Sequence, residues 1–419
     1  MTEAVDGGAV LYLSYDGMTD PLGQSQVIPY LAGLVRAGYR VHLVSFEKPE
    51  REAAGRALVE RLLREAGIAW HPQPYTRRPP VLSTLRDVVR LRRVAAALHA
   101  RHRFRLVHCR SYVAALAGLA LKEKAGVPFL FDMRGFWPDE RVDGGTWRLS
   151  HPLYRAVYRY FKRKEARFMS AADAVVVLTE AARDEIRTWD AFDEAISPVS
   201  VIPCSVDLEL FRVPTAAERE AARRAIGLAE GAGPVVAYVG SLGTWYMVDE
   251  MAAQFAALRA RHPAAHLLVV TPDPAEDLLL RTERAGVPGS AVTVRSAQRH
   301  DVPALLAAAD VGLSFIRPSY SKMASSPTKL GEYLAMGLPV ITNAGVGDVE
   351  RIVRSTESGT VVRELTPAAY ARAADELPAL LRIDRHAVRA RAAEIYDLRK
   401  AVGDYALLYG RIASAAAQG

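Results

Sequence analysis

The stretch Ser321-Lys-Met-Ala-Ser-Ser-Pro-Thr-Lys-Leu-Gly-Glu-Tyr-Leu-Ala-Met-Gly-Leu-Pro-Val-Ile-Thr-Asn343 decides how the rest of the chain is read. Ser326 followed by Pro327 has the form of an N-cap and first helical residue, and Gly337 followed by Pro339 the form of the matching stop. Pro339 to Asn343 reads as a short buried strand, so a helix of about two and a half turns is held between a loop and a sheet. Leu330, Tyr333, Leu334 and Met336 give it an apolar face. Thr328, Lys329 and Glu332 share another, because neighbours three and four apart lie together. A capping box would place its Glu where Lys329 stands, so Glu332 is not part of a cap. The helix therefore points backbone N–H groups and a lysine at whatever lies above the loop, with a carboxylate one turn deeper. That set suits a pyrophosphate with a ribose behind it. The competing reading is a surface Lys–Glu pair on an ordinary capped helix.

Outward from this stretch the chain alternates strands and helices. Val311 to Phe315 is the strand that feeds it. Val235 to Val239 is a strand followed by the turn Gly240-Ser-Leu-Gly-Thr-Trp-Tyr246, where Gly240, Ser241 and Gly243 let backbone amides approach phosphate oxygens. The strands His266 to Thr271 and Ala291 to Val294 end near Thr271, Gln298 and Arg299, which would border a nucleotide base. Lys322, Ser325 and Ser326 sit in the loop before the helix, where with Arg317 they add charge and hydroxyls to the same candidate site.

The first half starts the same way, with a strand at Val10 to Ser14, a helix from about Gln24 to Ala37 ended by Gly38, and a strand at Val41 to Phe46. The loop between them is not G-x-G-x-x-G, so the dinucleotide fingerprint fails there, and Glu47 alone does not restore it. Leu106 to Cys109 runs into Arg110-Ser111, and Phe129 to Asp132 runs into Arg134-Gly-Phe-Trp-Pro-Asp139-Glu140. Ligands of open α/β sheets bind beyond the carboxyl ends of strands. Arg110, Ser111, Asp132, Arg134, Asp139 and Glu140 are therefore candidate ligand contacts, with Phe136 and Trp137 available to stack on a sugar. The competing reading is a structural Arg–Asp network.

Composition agrees with a folded enzyme: 419 residues, half of them hydrophobic and 24% charged. That length suits two domains of roughly 200 residues. Cys109 and Cys204 lack metal or redox spacing and read as buried thiols of a reducing compartment. Met1 to Gly8 has no charged-then-apolar leader, and no apolar run nears the ~18 residues of a spanning helix. The expectation is a cytoplasmic protein. The net charge of +7 is uneven: Arg77 to Arg105 holds nine arginines and one acid, Asp87. Arg86, Arg90 and Arg93 share a helical face beside Val88, Val89, Leu91 and Val94. Phe161-Lys-Arg-Lys164 with Arg167 and Phe168 forms a second cluster. Such stretches can rest on an anionic membrane surface, or be solvated faces of an Arg-rich chain. Nucleic acid is not indicated, since no recognition module accompanies the charge.

Glu332-x4-Gly337-x-Pro339-Val340 resembles the second half of the Glu-x7-Glu motif of the retaining glycosyltransferases of family four, which have the GT-B fold. The tract Asp20-Pro-Leu-Gly-Gln-Ser-Gln-Val27 resembles the family's glycine-rich loop, placing Gly23 toward donor and acceptor. Val201 to Phe211 resembles the strand and turn that close the first GT-B domain. The sequence departs from the motif eight residues before Glu332, where Ala324 replaces the first Glu. It also lacks the Arg and Lys usual after the strand ending at Val239, which shifts the pyrophosphate charge to Lys329, Arg317 and Lys322.

The resemblance implies two Rossmann-like domains facing each other across a cleft. Residues 1–212 would bind the acceptor, with Arg110, Ser111, Asp132, Arg134, Asp139 and Glu140 among its contacts, 213–394 the nucleotide-sugar donor, and 395–419 would form a helix crossing back. It implies a glycosyltransferase moving a sugar with retention from a nucleoside-diphosphate sugar to a lipid-linked glycan, polysaccharide precursor or small natural product. Glu332 would hold the donor ribose, and Lys329 with Ser326, Thr328 and the amides after Gly240 would stabilise the departing diphosphate. No cofactor is expected beyond the nucleotide-sugar co-substrate. No metal is expected either, since no Asp-x-Asp pair stands in a strand-end loop. The alternatives are a nucleotide-sugar 2-epimerase of the same fold, and a non-catalytic nucleotide-sugar-binding protein in which Ala324 marks a lost site.

Overall fold

The computed structural model describes residues 7–229 and 231–418. The reading of Met1 to Gly8 lies mostly outside them. Two compact units emerge, one made of residues 1–203 with 398–419, the other of 204–397.

The first unit is built on a seven-stranded sheet whose described pairings are all parallel. Its strands are β1 (Ala9–Ser14), β2 (Arg40–Glu47), β3 (Ala69–Pro74), β4 (Leu106–Arg110), β5 (Phe129–Asp132), β6 (Ala174–Val177) and β7 (Val199–Val201), in the order β3-β2-β1-β4-β5-β6-β7. Strands such as Ala9-Val-Leu-Tyr-Leu-Ser14 are buried along their whole length, which explains why they read as continuous apolar runs rather than alternating ones. The second unit carries β8 (Val235–Val239), β9 (His266–Val270), β10 (Val292–Arg295), β11 (Val311–Ser314), β12 (Val340–Asn343) and β13 (Gly359–Val362), in the order β10-β9-β8-β11-β12-β13. Each sheet reverses its strand order once, between β1 and β4 and between β8 and β11. Such switch points open a crevice at the carboxyl ends of the strands. They set where ligands can enter.

Three expectations need correction. The boundary near 212 lies earlier, after Pro203, because Val206, Leu208 and Phe211 are buried in the core of the second unit with Leu330 and Tyr333. The amide of Val206 also donates to the Tyr396 carbonyl at 2.7 Å. The last boundary falls after Asp397 rather than 394, and the helix Leu398–Gln418 belongs to the first unit. There Ala401, Tyr405, Leu408 and Tyr409 pack with Val10, Tyr12 and Leu31. Finally, the single helix expected from Gln24 to Ala37 is two, Pro21–Gln26 and Ile28–Arg36, broken at Val27. Pro29 cannot donate the hydrogen bond that a continuous helix needs.

One cluster in the first unit makes its stability depend on pH. His42 on β2 meets His71 on β3, Nδ1 to Nε2 at 3.1 Å, and its ring centroid lies 4.1 Å from that of His102. Burial, then His102, His71 and Arg40, lower the His42 pKa from 6.5 to about 4. The unfolded chain therefore binds more protons between these values. The stability tied to a neutral His42 is complete above about 6.5 and is lost as pH falls toward about 4. His42→Phe is expected to flatten part of the fall in Tm across that window, read by thermal scans. An unaltered pH profile would contradict it.

Candidate functional site

In the second unit the helix Thr328–Ala335 lies at the β8/β11 switch point, tied to it by Tyr333. The Tyr333 hydroxyl accepts from the amide of Val239 at 2.9 Å, and its ring fills the space left by Gly312, where a Cβ would stand 2.5 Å away. Lys329 and Glu332 are both buried, at 6% and 5% exposure. Lys329 Nζ has no hydrogen-bond partner among the described residues and stands over two tyrosine rings, 4.0 Å from the centroid of Tyr238 and 3.7 Å from that of Tyr246. Gly240, at φ +123°, brings the backbone close: a Cβ there would be 3.1 Å from Nζ. Burial holds the Lys329 ammonium well below its ordinary range, against the pull of Glu332. Glu332 accepts from Arg299 Nη1 at 2.6 Å, and the guanidinium of Arg299 also covers the ring of Phe211. Arg299, placed beside a base by sequence, is thus the partner of the carboxylate.

The loop residues divide. Lys322 Nζ sits 3.8 Å from the Trp245 ring centroid and Arg317 lies over the same ring at 4.8 Å, so with Lys329 three basic side chains line the turn after β8. The rings that seat them, Tyr238, Trp245 and Tyr246, were missed in the sequence. The signal was two aromatics directly after a glycine turn. The Gly240 amide is not open to a phosphate, since it donates to Val270 O at 2.9 Å in continuation of the sheet. Those of Ser241, Gly243 and Thr244 have no acceptor among the described residues. Ser326 is not the N-cap: that position is Pro327, and Ser326 Oγ accepts from the Cys204 amide at 3.2 Å. Thr328 opens the helix, and the amide of Ser325 is turned back to Lys322 O. Thr271 is buried and accepts from the Asp273 amide, while Asp273 accepts from that of Leu242 at 2.6 Å, so this pair shapes the turn. Gln298 is exposed. Ala324 is buried at the end of the short turn Ser321–Ala324, with no side chain to reach a ligand.

In the first unit the register sets Ser14 beside Arg110 and Arg110 beside Asp132 at the ends of β1, β4 and β5. Asp132 Oδ2 accepts from His108 Nε2 and from the Tyr405 hydroxyl, each at 3.3 Å, and Arg134 lies 3.9 Å away. His108 in turn meets the Tyr409 hydroxyl through Nδ1 at 2.7 Å. Burial alone would raise Asp132, but Arg134, the His108 hydrogen bond and Arg110 overcome it and hold the carboxyl below its ordinary range. Two buried polar atoms are left over, Arg110 Nη1 and Asp132 Oδ1. Ser111 and Arg134 adopt left-handed φ values of +66° and +58°, strain that gathers where a loop is shaped for a ligand. His108, Tyr405 and Tyr409 were passed over in the sequence, since their partners lie far along the chain.

Other expected acceptor contacts are used internally. Asp139 accepts from Tyr158 at 2.7 Å and pairs with Lys162 at 3.2 Å, and the half-buried Glu140 is also engaged within the molecule. Phe136 is core, and Trp137 packs against Tyr112, Trp147 and Phe161, so neither is a free sugar platform. Gly23 is a packing residue: a Cβ there would meet Gly17 O at 2.3 Å. Glu47 clamps the same loop, accepting from the amides of Met18 and Thr19 and the hydroxyls of Thr19 and Ser45.

Two family models match this pattern in tandem. Glycosyltransferase Family 4 covers residues 23–210, and Glycosyl transferases group 1 covers residues 233–379. The chain belongs to the group 1, family 4 glycosyltransferases. The family's GT-B fold accounts for both Rossmann-like units. A sucrose-phosphate synthase from Thermosynechococcus elongatus shares that fold with a TM-score of 0.71 at 17% identity, over 97% of this chain and 100% of the other. Anabaena HepE, solved with UDP-glucose, shares it with a TM-score of 0.69 at 16% identity, over 98% and 100%. Among curated relatives, D-inositol 3-phosphate glycosyltransferase of Salinispora arenicola is 29% identical over 297 residues, 68% of this chain. The chain spans 63% of that relative's length.

Proposed function

We propose that this family member transfers a sugar from a nucleoside-diphosphate sugar to a hydroxyl acceptor, with retention at the anomeric carbon and without a metal. The observation that carries the reading is a buried lysine without a hydrogen bond, beside a carboxylate held by Arg299, at the switch point of the second sheet. The bond from C1 to the diphosphate oxygen breaks, the acceptor oxygen bonds to C1, and the acceptor proton passes to the departing diphosphate. Lys329, the amides of Ser241 and Gly243, and the helix start at Thr328 stabilise the charge that develops there. Lys322 and Arg317 add to that potential, the role a metal would otherwise fill. Glu332 accepts from the ribose hydroxyls. The acceptor binds at Arg110, Ser111, Asp132 and Arg134, where the leftover donor and acceptor atoms match a hydroxylated substrate. An inositol phosphate is one such acceptor, the kind named for the Salinispora relative. The test is turnover with UDP-, GDP-, ADP- and dTDP-sugars, with and without EDTA and acceptor. Diphosphate release that needs acceptor and survives EDTA, with an unchanged anomeric signal in the product, supports the reading. A product formed without acceptor would indicate epimerisation.

We further propose that the first unit docks on an anionic membrane, where a lipid-linked acceptor would lie. No described helix is long and apolar enough to cross one. The helix Leu82–His102 exposes Leu82, Leu85 and Val89 along one stripe, at 63%, 59% and 37%, with Arg86 and Arg93 exposed on the same helix. Val88 and Leu91 are core instead, and Arg90 donates to Pro74 O, so the working face differs from the expected one. Phe161 and Phe168 of the second cluster are buried too. Charge reversal at Arg86 and Arg93 is expected to reduce sedimentation with phosphatidylserine vesicles. Unchanged binding would sink the idea.

A further inference from the structure

Lys329 stands where a charge has little to hold it. The titratable and charged groups around it are few. Its own helix supplies Glu332, one turn on, whose carboxylate is already engaged by Arg299 at 2.6 Å, and Tyr333, whose hydroxyl is bound to Val239 N. β8 supplies Tyr238, whose hydroxyl donates to Ser241 O, and the following turn supplies Tyr246. Lys322 and Arg317, both over Trp245, bring only more positive charge to that turn. Taking an ammonium out of water is costly even after the protein relaxes. A desolvated cation–π contact returns only part of that cost, and here two rings and a shared carboxylate must offset the whole loss. The lowered proton affinity of Lys329 has this cause, and the geometry says the same: Nζ is enclosed by two rings and Gly240, with no acceptor.

We propose that Lys329 is uncharged in the empty protein and takes up a proton when a nucleoside diphosphate binds. The proposal rests on reading the helix Thr328–Ala335 as the diphosphate site. The empty protein is then spared a buried, uncompensated charge. The cation forms only when phosphate oxygens arrive to accept its hydrogen bonds, with the Tyr246 ring moving aside to admit them. Binding becomes proton-linked, and donor affinity falls as pH rises.

Isothermal titration of UDP, GDP, ADP and dTDP in two buffers of different ionisation enthalpy reads this directly. At about pH 8 the diphosphate is fully ionised while an ordinary lysine is already charged, so uptake there reports a lysine that was neutral. The wild-type protein is expected to gain between about half a proton and one proton. Lys329→Arg, which keeps its charge, is expected to bind with about none. Zero uptake by the wild type, or equal uptake by both proteins, overturns the proposal and leaves the site reading standing. Failure of every diphosphate to bind the wild type overturns the site reading, and the proposal with it. Should the Arg variant not fold, the wild type alone decides. Affinity dropping by up to about tenfold per pH unit between roughly pH 8 and 9 supports the linkage, and a flat profile overturns it.

Discussion

Lys329→Met is expected to weaken nucleoside-diphosphate binding by about 1.5–3 kcal/mol, the worth of a hydrogen bond to a charged group, or roughly 10- to 150-fold in Kd. Methionine fills the same slot between Tyr238 and Tyr246 and loses only the ammonium. The folded protein should therefore keep its Tm, or gain a little, because a buried group without a partner has been removed. Glu332→Ala should weaken binding by a similar factor for a different reason. It removes the proposed acceptor for the ribose and leaves the Arg299 guanidinium over Phe211 without its carboxylate. Titration calorimetry with the wild type's preferred diphosphate separates the two, since only the second should also lower Tm. Wild-type affinity in both variants would return the pair to an internal contact of an ordinary helix.

The largest expected effect on stability lies away from this site. Asp310, just before β11, pairs with Arg219 at 2.6 Å and with Arg223, accepts from the Val235 amide at 2.8 Å, and lies 3.5 Å from Arg385. One carboxylate thus answers three guanidiniums. Their mutual repulsion shows at Arg385, which burial and then Arg219 lower to about 10. Asp310→Ala would leave these half-buried cations facing one another, and breaking such a pair typically costs about 3–5 kcal/mol. A fall in Tm of the second unit is the expected readout, with diphosphate binding kept by the fraction that stays folded at low temperature. A Tm within a degree or so of wild type, the size of an ordinary surface change, would show that the arginines are solvated rather than held.

Local pattern carried the fold, and long-range pairing hid most of the site. Apolar runs such as Val10–Leu13 and Val235–Val239 are legible because a fully buried parallel strand admits little else. Gly337 ends its helix as expected, at φ +67°. The start slipped by one residue because Ser326 is drawn to the Cys204 amide, more than a hundred positions away. Lys329 and Glu332 stood out through helical spacing, yet nothing near them in sequence announced Arg299, Tyr238 or Tyr246. The same holds for His108, joined to Tyr409 from the far end of the chain. Asp139 and Trp137 misled for the opposite reason: carboxylates next to aromatics look alike whether they wait for a sugar or are answered by Tyr158, Lys162 and neighbouring rings. Arg90 likewise shared a helical spacing with Arg86 and Arg93, but it turns inward to a carbonyl. Ala324 was plain in the sequence, and it is buried at the end of its turn.

The end of the second sheet is the proposed binding site of a nucleoside diphosphate, held through Lys329 and Glu332. A thermal-shift panel of UDP, GDP, ADP and dTDP, each with and without EDTA, tests it most directly. Stabilisation by one diphosphate, unaffected by EDTA and diminished in Lys329→Met, is the predicted result. No shift with any of the four would contradict the account and make Ala324 the mark of a site that no longer binds a donor.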